Sequence, residues 1–256
     1  MSAKNSEGKR AARERLAVER ERQAAAHRRR RTLLALLSVV GVLAVAGIAA
    51  AVVTNSKDDG RGSPQAYPRG VTGKDRLAIL DGKSGAPATL TVYEDFRCPA
   101  CAAFEKGFSK TIHELVDSGQ LKTEYRLVTL IDGNLGGEGS LRSANAAACA
   151  SDRGRFRAYH DVLYANQPPE TDDAFADNGK LLDLAKTAGG LDGAAFRKCV
   201  DDGTYDSWVK RSDNAFRDSG HSGTPTVLLD GKNIYGQGSD LTPDRLKSLV
   251  AEAGKA

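Results

Sequence analysis

Apolar and polar residues alternate along Ala88-Thr89-Leu90-Thr91-Val92-Tyr93, a period of two, rich in β-branched residues, that predicts a strand. From Cys101 to about Asp117 the period lengthens. Phe104, Phe108, Ile112 and Leu115 recur at three- and four-residue steps, as on one face of a helix. Leu121 to Leu130 alternates again, and such a strand–helix–strand unit implies a right-handed crossover joining a parallel pair. Leu77 to Leu80 predicts an earlier strand, with a turn over Gly82 to Pro87.

From Ser140 to Asp218 only helical pattern is present. Ser140 is the expected cap of an Ala-rich helix holding Cys149, and Phe156, Tyr159, Leu163 and Tyr164 mark a second, stopped by Pro168-Pro169. Thr171 and the paired aspartates start a third, with Leu181, Leu182, Leu184 and Ala185; Asp192 caps a fourth, with Phe196, Cys199 and Val200. Tyr205, Trp208, Val209 and Phe216 mark a fifth. The sheet resumes at Thr226 to Leu229, turns at Asp230-Gly231 and returns through Lys232 to Tyr235. Thr242-Pro243 opens a last helix through Leu246, Leu249 and Val250. The pattern is α/β, with a helical subdomain inserted at about 140–218.

The first quarter of the chain is different in kind. Thr32 to Val53 carries no charged side chain, and at ~1.5 Å per residue it makes roughly 33 Å of helix, about the thickness of a hydrocarbon core. Arg28-Arg29-Arg30-Arg31 precede it and predict a cytoplasmic tail, 1–31, with the large domain outside. A cleaved signal is the alternative, but its candidate site, Ala44-Val45-Ala46, lies inside the apolar run. Residues 54–72 have almost nothing apolar at first and predict a flexible linker, so the folded domain is expected over 73–256.

Charge follows the same division. The net charge of +4 over 256 residues conceals +7 in residues 1–31 and −3 beyond residue 53. A mildly acidic domain behind a basic tail argues against nucleic acid as the partner, and the basic excess suits a membrane surface. Four cysteines outside the cytoplasm fit an oxidising compartment. They allow three pairings, of which Cys98 with Cys101 is the first choice by separation.

The chemistry concentrates at Phe96-Arg97-Cys98-Pro99-Ala100-Cys101, between the strand and the helix. A helix N-terminus offers free N–H groups and partial positive charge, which favour a thiolate at the first cysteine. Pro99 suits a first helical position, where no N–H is required. Cys98 is then the expected exposed nucleophile and Cys101 the resolving partner. A zinc site needs four ligands, and neither Cys149 nor Cys199 has a Cys or His at ligand spacing. A purely structural disulfide gains little from so short a loop.

The order of elements, with Tyr93-Glu94-Asp95-Phe96-Arg97-Cys98-Pro99-Ala100-Cys101, Tyr159-His160-Asp161, Ala165-Asn166-Gln167-Pro168 and Gly223-Thr224-Pro225-Thr226, resembles the thioredoxin fold of DsbA-type proteins. The set resembles the membrane-tethered, DsbA-like thiol–disulfide oxidoreductases of actinobacteria. The resemblance implies a cis peptide bond at Pro225 beside the active-site cysteines, with the Thr224 backbone pairing with the substrate chain. It also implies a stapling disulfide between Cys149 and Cys199, a pair of reduced buried thiols being the alternative. Two departures stand out. Val92 occupies the place of the buried acid six residues before the first cysteine, leaving Glu94 as the candidate proton acceptor for Cys101, with Asp95 behind it. Ala100 supplies no positive charge to the Cys98 thiolate, and potentials across such proteins span about 150 mV, or roughly 7 kcal/mol. His221 is read as a solvent-facing loop residue and His160 as a helix-surface or core-edge residue.

The function so implied is exchange of the Cys98–Cys101 disulfide with cysteine pairs of exported proteins, in the oxidising direction, with no metal or organic cofactor. A membrane redox partner of the DsbB or vitamin K epoxide reductase-like kind is implied by analogy. Two alternatives stay open: a reductase or isomerase with the same site, and a non-catalytic module binding a peptide beside Thr224-Pro225 or a metal at Cys98 and Cys101. Oligomeric state is not legible.

Overall fold

The structure, a computed structural model, describes residues 66–236 and 238–254. The expected tail and span, 1–31 and 32–53, lie outside the described residues, as does most of the linker. Among the described residues no helix is long and apolar enough to cross a membrane.

Six strands form one sheet: β1 (Val71–Thr72), β2 (Ala78–Asp81), β3 (Ala88–Glu94), β4 (Leu121–Leu127), β5 (Thr226–Leu229) and β6 (Lys232–Asn233). Their order is β1-β2-β4-β3-β5-β6, which places β3 inside the sheet, parallel to β4 and antiparallel to β5. The alternation along β3 decides this position. Ala88, Leu90 and Val92 are wholly buried on one face, and Glu94 falls on that same face at the strand's end. Helix α1 (Pro99–Asp117) makes the crossover from β3 to β4 and buries Phe104, Phe108, Ile112, Leu115 and Val116. Five such side chains contribute on the order of 10 kcal/mol of gross burial energy, which fixes the helix tip at the end of β3.

The insert follows as α2 (Leu130–Leu135), α3 (Gly139–Ser151), α4 (Phe156–Ala165), a 3-10 turn at Ala174–Ala176, α5 (Asn178–Ala188), α6 (Ala194–Asp201) and α7 (Asp206–Asp218). A disulfide joins Cys149 on α3 to Cys199 on α6, with the Cα atoms 6.0 Å apart. Trp208 on α7 is fully buried, and its indole N–H donates to the Arg76 carbonyl at 2.9 Å. Helix α8 (Pro243–Ala253) closes the fold, capped by the Thr242 hydroxyl, which accepts from Arg245 N at 3.2 Å. Asp230 and Gly231 both have positive φ, 46° and 80°, as the two-residue turn between β5 and β6 requires.

Several local expectations need correction. The folded domain includes residues before 73: Arg69 N donates to Asp152, the Ser151 hydroxyl donates to the Arg69 carbonyl, and β1 pairs with β2. Two residues are too few for a period to show. Leu130 leaves the fourth strand and starts α2, so the apolar alternation ran on past the last ladder bond. The return strand is two residues long rather than four. Ser140 does not cap α3; the Asp132 carboxylate accepts from both Ser140 N and Leu141 N, at 2.9 Å each. Gly193 rather than Asp192 stands at the start of α6, and the third helical segment is capped by Asp177, which accepts from Gly179 N.

Candidate active site

The end of β3 and the tip of α1 hold Cys98 as the cap residue, with Pro99 next at the first helical position. Cys101 N and Ala102 N donate to the Cys98 carbonyl at 3.1 and 3.2 Å, which closes the first turn around the two sulfurs. Cys98 and Cys101 are in thiol form. Cys98 is 6 % exposed rather than open to solvent as expected, because the loop before β5 covers it. Its Sγ donates to the Thr224 carbonyl at 3.3 Å. The Thr224–Pro225 peptide bond is cis. Pro99 and Ala100 are the exposed residues of the turn.

The two sulfurs sit in opposed electrostatic surroundings. Cys98 has a pKa lowered from 9.0 to about 6; the Cys101 thiol donates to it, and Thr224 and the backbone N–H groups of Cys101 and Ala100 add to that against the cost of burial. The Thr224 hydroxyl is buried with no hydrogen-bond partner among the described residues, so it is free to serve a thiolate. Cys101, 1 % exposed, is pushed well up by burial, then by the neighbouring Cys98 and by the charge of Glu94. One sulfur is made easy to ionise and the other hard.

The turn is fixed from the insert. Gln167 donates to the Phe96 and Cys98 carbonyls, both at 2.9 Å, and Tyr164 donates to the Asp95 carbonyl at 3.4 Å. The buried Arg97 guanidinium pairs with Asp132 at 2.6 Å and Asp173 at 2.9 Å, and donates to the Gly136 and Glu170 carbonyls. Asp95 is fully buried; its carboxylate accepts from Arg97 N and Ile131 N at 2.8 Å each. Burial nonetheless raises its pKa to about 7.

Glu94 is buried and its Oε1 lies 2.9 Å from His160 Nε2. His160 is thus no surface residue: it is wholly enclosed, among Phe96, Tyr125, Phe156 and Tyr164. Glu105, one helical turn beyond Cys101, is the third buried member of this group, and burial pushes its carboxyl up to about 8. His221 is half-buried rather than solvent-facing, its ring against Tyr93 and Phe216.

Comparison with known proteins agrees with this geometry. A family model described as Thioredoxin matches residues 75–252. The oxidised DsbA of Mycobacterium tuberculosis superposes with a TM-score of 0.60 at 31 % identity, over 70 % of this chain and 93 % of that one. The chain belongs to the thioredoxin family, as a DsbA-like thiol–disulfide oxidoreductase. Disulfide bond formation protein D of Bacillus subtilis is 27 % identical over 156 residues, covering 60 % of this chain and 68 % of that protein. The MdbA thiol–disulfide oxidoreductase of Actinomyces oris shares the fold, with a TM-score of 0.61 at 22 % identity over 77 % of this chain.

For this DsbA-like chain, the sequence pattern singled out the cysteine turn and the Thr224-Pro225 loop, and the structure brings them into contact. Glu105, His160, Gln167 and Arg97 were not recognised for what they touch. Glu105 did leave a signal. It stands at helical spacing with Cys101, Phe108 and Ile112, a charged residue inside an apolar stripe.

Proposed function

We propose that the chain is an extracytoplasmic, membrane-tethered oxidase that passes its Cys98–Cys101 disulfide to cysteine pairs of exported proteins. A substrate thiolate attacks Cys98 Sγ; the Cys98–Cys101 bond breaks and its electron pair leaves on Cys101, which takes up a proton. The second substrate thiolate attacks the substrate sulfur of the mixed disulfide, and Cys98 leaves as a thiolate. The substrate gains a disulfide and the protein is left as the dithiol. The observation carrying this reading is the paired sulfurs: Cys98 at a helix tip, 3.3 Å from the Thr224 carbonyl and with its pKa lowered to about 6, is a good leaving group. Glu94, whose charge acts on Cys101, is the candidate proton acceptor when Cys101 is next ionised.

Thr224, with its carbonyl turned to Cys98, is the residue assigned to pair with the substrate backbone, and Pro225 holds that loop against the cysteines. The Cys149–Cys199 bond is assigned a structural role, remote in sequence from the reacting turn. Outward placement rests on the uncharged run 32–53 behind four arginines, and a membrane redox partner of the DsbB or vitamin K epoxide reductase-like kind would return the dithiol to the disulfide.

Oxidative refolding of a reduced, unfolded protein tests the reading. The oxidised full chain should restore the client's disulfides stoichiometrically, and Cys98→Ser should not. Equal refolding by Cys98→Ser would end the enzyme assignment, and efficient reduction of client disulfides without oxidation would reverse its direction.

A further inference from the structure

Behind the cysteine turn, Glu94 on β3, Glu105 on α1 and His160 on α4 converge from three elements. One ligand atom from each lies within 4.8 Å of the others, and all three residues are buried, at 1 %, 3 % and 0 % exposure. Glu94 Oε2 and both Glu105 oxygens have no hydrogen-bond partner among the described residues. Nor does a lysine or arginine pair with either carboxylate there, the only ion pair being Glu94 with His160. Buried carboxylate oxygens with nothing to bind are costly, and their presence points to a ligand.

The histidine is set for ligation. Its Nδ1 lies 3.3 Å from Asp161 Oδ1 and its Nε2 2.9 Å from Glu94 Oε1, so a carboxylate stands at each ring nitrogen, and a metal ion at Nε2 would take the place of the proton shared there with Glu94. An outer carboxylate holding the far nitrogen is the arrangement that orients metal-ligating imidazoles. A cleft of about 520 Å³ between α1 and α4, lined by Ala102, Glu105, Ser109, Asp161, Tyr164 and Ala165, opens onto the Glu105 side and has room for water ligands. Once the ion has displaced the Nε2 proton, two carboxylates and a neutral imidazole balance a divalent charge, and one nitrogen with carboxylate oxygens suits Zn²⁺ or its first-row neighbours.

We propose that Glu94, Glu105 and His160 form a binding site for a divalent transition-metal ion of the zinc class, reached through the cleft between α1 and α4. Cys98 and Cys101 are not among its ligands, and because Glu94 is also the candidate proton acceptor for Cys101, the ion and the Cys101 proton draw on the same carboxylate.

The test uses the full chain, oxidised so that Cys98 and Cys101 cannot ligate, stripped with a chelator and titrated with Zn²⁺ by calorimetry. One equivalent should bind, with affinity lower by on the order of tenfold or more in Glu105→Gln, a change that preserves side-chain volume. Cys98→Ser should bind as the parent does. Co²⁺ gives a second readout on the unmutated protein: visible d–d bands with no sulfur charge-transfer band. Absence of binding by the oxidised chain, unchanged affinity in Glu105→Gln, or a sulfur charge-transfer band would each overturn the assignment.

Discussion

Replacing Cys101 by alanine removes the largest influence on the neighbouring Cys98 sulfur, the thiol that donates to it. With a pKa of about 6, Cys98 in the dithiol is roughly nine-tenths thiolate at pH 7. Relative to a thiol at 9.0, that favours the dithiol over the disulfide by about 1.4 kcal/mol at pH 7. For a two-electron couple this is about 30 mV of added oxidising power, an upper bound, because solvent near the sulfur screens part of it. The sign follows from the lowered pKa. The stabilisation of the dithiol is fully present above 9.0 and is lost as the pH falls through about 6. A hydrogen bond to a charged acceptor is worth about 1.5–3 kcal/mol, so Cys101→Ala should raise the Cys98 pKa by about one to two units. Cys101→Ser keeps an O–H donor and should recover most of the difference. Ultraviolet thiolate absorbance and the pH dependence of alkylation both read this directly. A wild-type inflection at 8 to 9, or one that Cys101→Ala leaves in place, would refute the reasoning.

Replacing Cys149 and Cys199 together by serine opens a loop of 50 residues, and urea denaturation should show a loss of about 4 kcal/mol by the chain-entropy relation; client oxidation by the surviving fold should persist. Arg97→Met leaves Asp132 and Asp173 without their cation, so unfolding free energy should fall by about 3–5 kcal/mol, with Cys98 alkylation becoming faster as the turn loosens. Asp95 has a native pKa raised from 3.8 to about 7. Its contribution to stability is therefore fully present below 3.8 and lost as pH rises through 7, by up to about 4 kcal/mol. In the oxidised protein, where Cys98 does not titrate, denaturation of wild type should weaken from pH 5 to 8 more steeply than that of Asp95→Asn; parallel slopes would contradict this.

How much of this was legible in the sequence depended on the range of the interaction. Period-two and helical spacing located β3, α1 and β4 because each buries one face over many residues, and β5 was found as a short apolar run buried on both faces. The two-residue β1 and β6 leave no period to read, and α2 hides behind the apolar end of β4. Caps supplied from a distance, such as Asp132 reaching the start of α3, follow no local rule. The same holds at the site. The cysteine turn is a local motif and stood out. Gln167 reaching the Cys98 carbonyl from 69 residues away, and His160 meeting Glu94 across 66, are visible only once the insert is packed. His160, read as a helix-surface or core-edge residue, was misjudged for that reason: Phe156 and Tyr164 lie on its own helix, but Glu94, Phe96 and Tyr125, which complete its enclosure, come from other elements.

Redox titration of the full chain against mixtures of reduced and oxidised glutathione tests most directly whether the lowered Cys98 pKa makes this protein an oxidant. A midpoint between the thioredoxin value and the DsbA value of about −120 mV is predicted, shifted positive by the few tens of millivolts that the lowered pKa supplies. A midpoint near the thioredoxin value of about −270 mV would contradict it.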